Sequence, residues 1–97
     1  MEVRFATRQL ERRYRSRTEA IRAWGPVVGN RYVDRITIVR GAPSMSELTS
    51  APSLRLHQLV GDRAGQLAIN LTGQVRLVLT LLEDGALQVE EVVDYHG

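Results

Sequence analysis

Apolar residues recur along this chain at two different intervals, and the interval changes near residue 54. Before that point the spacing is mostly helical. Val3 and Phe5 alternate with polar neighbours and predict a short first strand. Thr7 then offers a side-chain acceptor to the start of a helix whose apolar side is Leu10 and Tyr14. A second helical stretch is predicted over Thr18 to Trp24, and Gly25-Pro26 restarts a helix with proline in the first turn, where its missing N–H is not needed. Val28, Tyr32, Ile36 and Val39 repeat at helical spacing, but the β-branched run Ile36-Thr37-Ile38-Val39 suits a strand equally well. Gly41 and Pro43 end the element either way. Ser44-Met45-Ser46-Glu47 has the spacing of a capping box and predicts a short turn of helix, and Trp24 reads as core.

From Leu54 the period becomes two, the signature of a pleated strand. Leu54 and Leu56 alternate with Arg55 and His57 before a turn at Gly61-Asp62-Arg63-Ala64-Gly65. Leu67, Ile69 and Leu71 are expected on one side, and Thr72-Gly73 supplies a hairpin turn. Val75, Leu77, Leu79 and Leu81 are expected to return along the core side, with Arg76, Val78, Thr80 and Leu82 on the other. Asp84-Gly85 predicts a tight hairpin turn with positive φ at both central positions. The last strand is expected from Leu87 to about Tyr95, with a bulge where the alternation slips at Glu90-Glu91. The pattern therefore predicts an α+β fold: an N-terminal strand and two to three helices packed on one face of a small antiparallel sheet. A length of 97 residues suits a single domain over 1–97.

Composition narrows the class. With 43% hydrophobic and 25% charged residues the chain is too apolar to stay disordered. No apolar run is long enough to span a bilayer and the start lacks the order of a signal peptide, so a cytoplasmic protein with no membrane partner is expected. Without cysteine, and with only two histidines, neither a disulfide frame nor a zinc site is expected, and no cofactor is implied.

Charge placement says more than the net +2. All 13 basic residues are arginine, and ten of them precede Gly41, against Glu2, Glu11, Glu19 and Asp34. From Gly41 onward three arginines face seven acids, so the chain is polarised. Such a basic half suits phosphate, which guanidinium binds bidentately, although arginines on helix faces also serve simply as solvated surface. Arg8, Arg12 and Arg15 share one helical stripe and are candidates for contact with RNA, as are Arg55 and Arg63.

The polar residues of the second half carry the candidate chemistry. His57 is expected on a strand, Arg76 on the non-core face of another, and Asp94-Tyr95-His96 close the sequence. Histidine and aspartate move protons near neutral pH, arginine neutralises a pentacovalent phosphate, and tyrosine orients a sugar or stacks on a base. That set cleaves RNA without metal, by turning the ribose 2′-hydroxyl on its own phosphate. Each residue alone also has an ordinary role as a hydrogen-bonded surface group.

The stretch Leu56-His57-Gln58-Leu59-Val60-Gly61-Asp62-Arg63-Ala64-Gly65, with Ala68-Ile69, Gly73-Gln74-Val75-Arg76-Leu77 and Val93-Asp94-Tyr95-His96, resembles the HigB branch of the RelE/ParE toxin superfamily. The resemblance covers residues 54–96; the first 40 residues fit the family plan without a specific motif. It implies the toxin of a type II toxin–antitoxin pair, a ribosome-dependent messenger-RNA endonuclease. Its implied partners are the ribosome with its message and a HigA-like helix-turn-helix antitoxin, with operator DNA reached only through the antitoxin complex. By position, His57, Arg76, Asp94, Tyr95 and His96 match the residues such toxins use on RNA. The resemblance further implies proton transfer at the 2′-hydroxyl by His96 or Asp94, charge stabilisation by Arg76, a second proton-transfer or phosphate role for His57, and orientation by Tyr95.

The sequence also departs from the family pattern. Gln58 and Val60 stand where proline and lysine usually follow the strand histidine, which removes a phosphate-binding cation; Arg63 is the expected substitute. Leu67 and Val75 replace two common tryptophans. Two other readings remain: a ParE-like poison of DNA gyrase without nuclease activity, and a degenerate toxin kept for binding antitoxin or operator.

Overall fold

The structure, a computed structural model, describes residues 1–63 and 65–94. It contains β1 (Val3–Phe5), α1 (Arg8–Arg15), α2 (Arg17–Gly41), α3 (Met45–Thr49), β2 (His57–Gln58), β3 (Gln66–Asn70), β4 (Val75–Leu81) and β5 (Leu87–Asp94), with a 3-10 turn at Gly61–Arg63. This is the expected α+β plan of strand, helices and sheet.

Each helix starts where a hydroxyl can accept a free backbone N–H. Thr7 Oγ1 takes the Leu10 N–H at 3.1 Å, Ser16 Oγ that of Glu19 at 3.3 Å, and Ser44 Oγ that of Glu47 at 3.3 Å. Helix α2 is two helices folded against each other, because Gly25 has φ 84 and ψ 168, a backbone conformation that side chains other than glycine's resist. Pro26 starts the second half, as expected. Arg17 then reaches across to Asn30 Oδ1 at 2.9 Å and to Asp34 at 3.0 Å, stapling the halves together. They meet backbone to backbone at Gly29, where an added Cβ would lie 2.7 Å from backbone atoms of Ala20 and Ile21. Ile36-Thr37-Ile38-Val39 is helical: Ile36 and Val39 are fully buried, and packing decides where propensity was neutral.

The sheet order is β1-β5-β4-β3-β2; β1 runs parallel to β5 and the other pairs are antiparallel. One face carries Leu67, Ile69, Leu77, Leu79, Leu87 and Val89, which form the core with Leu10, Tyr32, Ile36, Val39 and Leu48 of the helices. Removing these side chains from water is the main stabilising contribution, about 1.5–3 kcal/mol for each large one. Tyr32 brings a polar atom into this core, and its hydroxyl donates to the Leu10 carbonyl at 2.7 Å. Burial holds that phenol protonated well above its ordinary range. Trp24 is half-buried and packs on Tyr32, ring centroids 4.6 Å apart, with the Arg13 guanidinium over its ring.

Three expectations need correction. The strand expected from Leu54 is only His57–Gln58, because Arg55 adopts φ 48 and breaks the extended run while Leu54 drops into the core. Leu81 does not share the core with Val75, Leu77 and Leu79; it is 45% exposed at the end of β4. The Asp84-Gly85 turn is a three-residue loop in which only Gly85 has positive φ, closed by Gly85 N–H to Leu82 O at 2.9 Å and Leu82 N–H to Ala86 O at 2.8 Å. The bulge is where the alternation slipped: Val78 pairs with Glu91 and Leu79 with Val89, leaving Glu90 unopposed. Among the described residues, no helix is long and apolar enough to cross a membrane.

Candidate functional site

Residues opposite one another in adjacent strands share a face, so register places the candidate residues directly. His57 stands opposite Ala68, Ala68 opposite Val78, and Val78 opposite Glu91. Arg76, two residues from Val78, stands between Asn70 and Val93. All of these lie on the face away from the helices. His57 and Arg76 are thus two strands and two residues apart, on the order of 12 Å between Cα atoms. Ala68 and Val78, both fully buried, form the floor between them.

The side chains on this face are held by specific contacts. His57 Nδ1 is 3.0 Å from the Arg55 carbonyl. A carbonyl only accepts, so that contact puts the imidazole proton on Nδ1 and leaves Nε2, in the neutral ring, as a proton acceptor. Arg76 Nη1 donates to the Thr72 and Gly73 carbonyls at 3.1 and 3.2 Å, which turns the guanidinium toward the β3–β4 hairpin. Arg63, from the 3-10 turn, spans β4 to reach Glu91 on β5 at 2.8 Å and approaches Gln66 at 3.4 Å. Its charge is therefore matched by a carboxylate, a modification of its expected role as a substitute for the missing lysine. Val60, at the position of that lysine, is 86% exposed.

Not every expected residue joins this face. Asp94 is opposite Val75, whose side chain packs toward the core, so register directs Asp94 to the helix side, away from Arg76. Asp94, a candidate alongside His57 and Arg76 in the sequence, is thus set apart from them by the strand alternation. Tyr95 and His96 lie outside the described residues. Arg8, Arg12 and Arg15 form an exposed stripe on α1, on the helical side of the molecule, and Arg15 is paired with Glu11 at 2.8 Å. The sheet separates that stripe from His57 and Arg76.

A feature with no distinctive sequence signal is a cleft of about 290 Å³ lined by Arg31, Arg35, Arg55, Asn70 and Thr72, among others. Arg31 and Arg35 are four residues apart on α2 and read in sequence as ordinary helix-surface arginines; only the tertiary fold brings them to Arg55.

A parallel first strand, helices over one face and an antiparallel sheet leaving the other face open together make the RelE-like fold, that of toxins of the RelE/ParE superfamily. The chain resembles in structure the YoeB/ParE toxin from Agrobacterium tumefaciens, with TM-score 0.66 and 16% identity, over 99% of this chain and 100% of that one. It also resembles YafQ from E. coli, with TM-score 0.63 and 13% identity over 96% and 91% of the two chains. The YoeB–YefM complex from Staphylococcus aureus matches with TM-score 0.54 and 15% identity, over 100% and 98%. No family model and no curated protein sequence matches the chain.

Proposed function

We propose that this chain is the toxin of a type II toxin–antitoxin pair and cleaves messenger RNA on the ribosome. The observation that carries the reading is the placement of His57 and Arg76 on one open sheet face of a RelE-like fold. An open face suits a strand of RNA threaded past it better than a small enclosed substrate. In the proposed reaction His57, rather than the expected His96 or Asp94, takes the proton of a ribose 2′-hydroxyl on its Nε2 as the oxygen attacks the adjacent phosphorus, because its Nδ1 faces the Arg55 carbonyl. A 2′,3′-cyclic phosphate forms, and the 5′-oxygen of the next nucleotide leaves with a proton from His96. Arg76 balances the charge that builds on the phosphate oxygens, and Tyr95 orients the sugar. Asp94, on the other side of β5, is not given a step. The chemistry requires the 2′-hydroxyl, so the same strand as DNA is inert. Such cleavage tolerates chelators, since no step draws on a metal.

The branch within the superfamily is the HigB-like one on the motifs around His57 and Arg76, and the antitoxin would be HigA-like. Arg8, Arg12 and Arg15 would dock on ribosomal RNA or on acidic residues of the antitoxin. One observation favours a second reading: an exposed valine at position 60, in place of a cation, fits a toxin that poisons by protein binding, as at DNA gyrase, or that has lost activity. The deciding experiment supplies purified protein with a defined message and translating ribosomes, maps ends by primer extension, and runs His96→Ala beside the parent. Ends that need both ribosome and His96 support the nuclease. Arrested growth without new ends sinks it and makes gyrase the next target.

A further inference from the structure

We propose that the cleft between α2, the segment before β2 and the β3–β4 hairpin is a second nucleic-acid contact, which takes a backbone phosphate and its ribose hydroxyl. Three guanidiniums, those of Arg31, Arg35 and Arg55, line it, and none of them pairs with a carboxylate among the described residues. Arg4, Arg15, Arg17, Arg22 and Arg63 each meet a carboxylate, whereas here three arginines from two separate segments converge on one cleft without one. Mutual repulsion of three cations is relieved by an anion bound among them.

Two details define the ligand further. Arg35 Nε, a donor, and Asn70 Oδ1, an acceptor, are both shielded from solvent without a hydrogen-bond partner, and both residues belong to the cleft wall. Unmet polar atoms of this kind mark a place for a group the structure lacks. A bare anion would satisfy Arg35 but not Asn70, whose oxygen needs a donor. A phosphate beside a hydroxyl offers a partner of each kind, and that pair of groups is repeated along an RNA backbone. The volume of about 290 Å³ equals roughly ten waters, room for a sugar-phosphate unit rather than one ion.

Backbone geometry supports a built site. Arg55 is the one non-glycine with positive φ among the described residues, and this turn aims it out while Leu54 stays buried. The Leu54 carbonyl accepts from the Asn70 N–H at 3.1 Å, and Arg31 Nη1 donates to the Leu71 carbonyl at 2.9 Å, so three segments of the chain are tied at the cleft. Thr72 and Gly73 line it and also hold Arg76 through their carbonyls. A strand seated in the cleft therefore lies against the same hairpin that holds Arg76, so the cleft would set the register of RNA next to the cleaving face. The identity of the strand as RNA rests on the proposed function; anion binding does not.

The test is a heteronuclear NMR titration of the full chain with inorganic phosphate, then with short single-stranded RNA and DNA of one sequence. Saturable shifts are expected at the backbone amides of residues 31–35, 53–55 and 70–73, with RNA competing against phosphate better than DNA. Arg35→Gln should weaken phosphate binding about tenfold, the size of one charge-assisted contact. Should that variant unfold, Arg55→Gln, at an exposed position, carries the same expectation. No shifts at those amides, or shifts that neither variant weakens, overturns the proposal. Equal competition by RNA and DNA overturns the hydroxyl contact, and displacement of phosphate by a glutamate-rich peptide but not by RNA makes the cleft a protein-docking site instead. The titration uses no ribosome and reads no cleavage, so failure of the nuclease reading leaves its outcome unchanged.

Discussion

Arg63 Nη2 and Glu91 Oε2 meet at 2.8 Å over the open face of the sheet, tying the turn before β3 to the strand two positions away. Both side chains are about half exposed, so the pair contributes less than about 1 kcal/mol to stability. Its larger effect is on charge, since Glu91 competes with any phosphate for Arg63. Glu91→Gln should raise RNA affinity severalfold and Arg63→Ala should lower it, with melting temperatures little changed. Filter binding at two salt concentrations checks this, because an arginine that meets phosphate steepens the salt dependence. Identical binding by both variants would show that Arg63 is purely structural.

Val60 offers a gain-of-function test. The side chain is 86% exposed, so a lysine there disturbs no packing. If the position faces the scissile phosphate, Val60→Lys should raise the cleavage rate by about tenfold, one charge-assisted contact's worth. Primer extension on translating ribosomes reads the change. An unaltered rate would place the position away from the reacting phosphate.

Gly29→Ala pits two effects against each other. Alanine favours a helix over glycine by about 1 kcal/mol. Here, however, the new Cβ would meet the Ala20 and Ile21 backbone at 2.7 Å, and backbone cannot rotate away. Overpacking of that kind costs about 1–3 kcal/mol, so the net sign is destabilising, by up to about 2 kcal/mol. Thermal melting followed by circular dichroism should show a fall of several degrees, and a rise would mean that the two halves of α2 separate freely.

Asp84 gives a pH prediction. The Ala86 N–H first, and the Arg4 guanidinium second, hold its carboxyl below the ordinary carboxylate range, at 3.1 and 2.5 Å. A carboxyl lowered in the folded state stabilises the fold above about pH 3.9, its ordinary unfolded value, and loses that contribution as pH falls through the folded value. The β4–β5 loop should therefore loosen in acid. Arg4→Gln should move the Asp84 titration, followed by carboxyl-carbon NMR, part of the way back up. The Ala86 contact keeps the remainder.

Much of this fold was legible in local pattern because the determinants are local. Thr7 and Ser44 cap helices with their own side chains, Gly25-Pro26 breaks and restarts one, and the slip at Glu90 announces a bulge. What failed to show depended on partners far along the chain. Ile36-Thr37-Ile38-Val39 is neutral by propensity and is decided by burial. Arg55 leaves the extended conformation although its neighbours alternate like a strand, and Asp94 turns to the helix side because the bulge resets its register. For the candidate site, the placement of His57 and Arg76 followed from counting along strands. Arg31 and Arg35 carried no signal, since their meaning comes from meeting Arg55.

The parallel pairing of β1 with β5 also sets an order of events during synthesis. β1 is the first strand made, yet its hydrogen-bond partner in the sheet is the last strand described, more than 80 residues later. Until β5 clears the ribosome, β1 has no neighbour and the exposed edge of β4 stays open. α1 and α2 can form early from local contacts, whereas the sheet closes only after the slow, long-range step. A nascent chain of this topology can pair β2, β3 and β4 as they emerge, but it holds two strands, β1 and β4, in wait for the single one that joins them, so the sheet is completed in one late step.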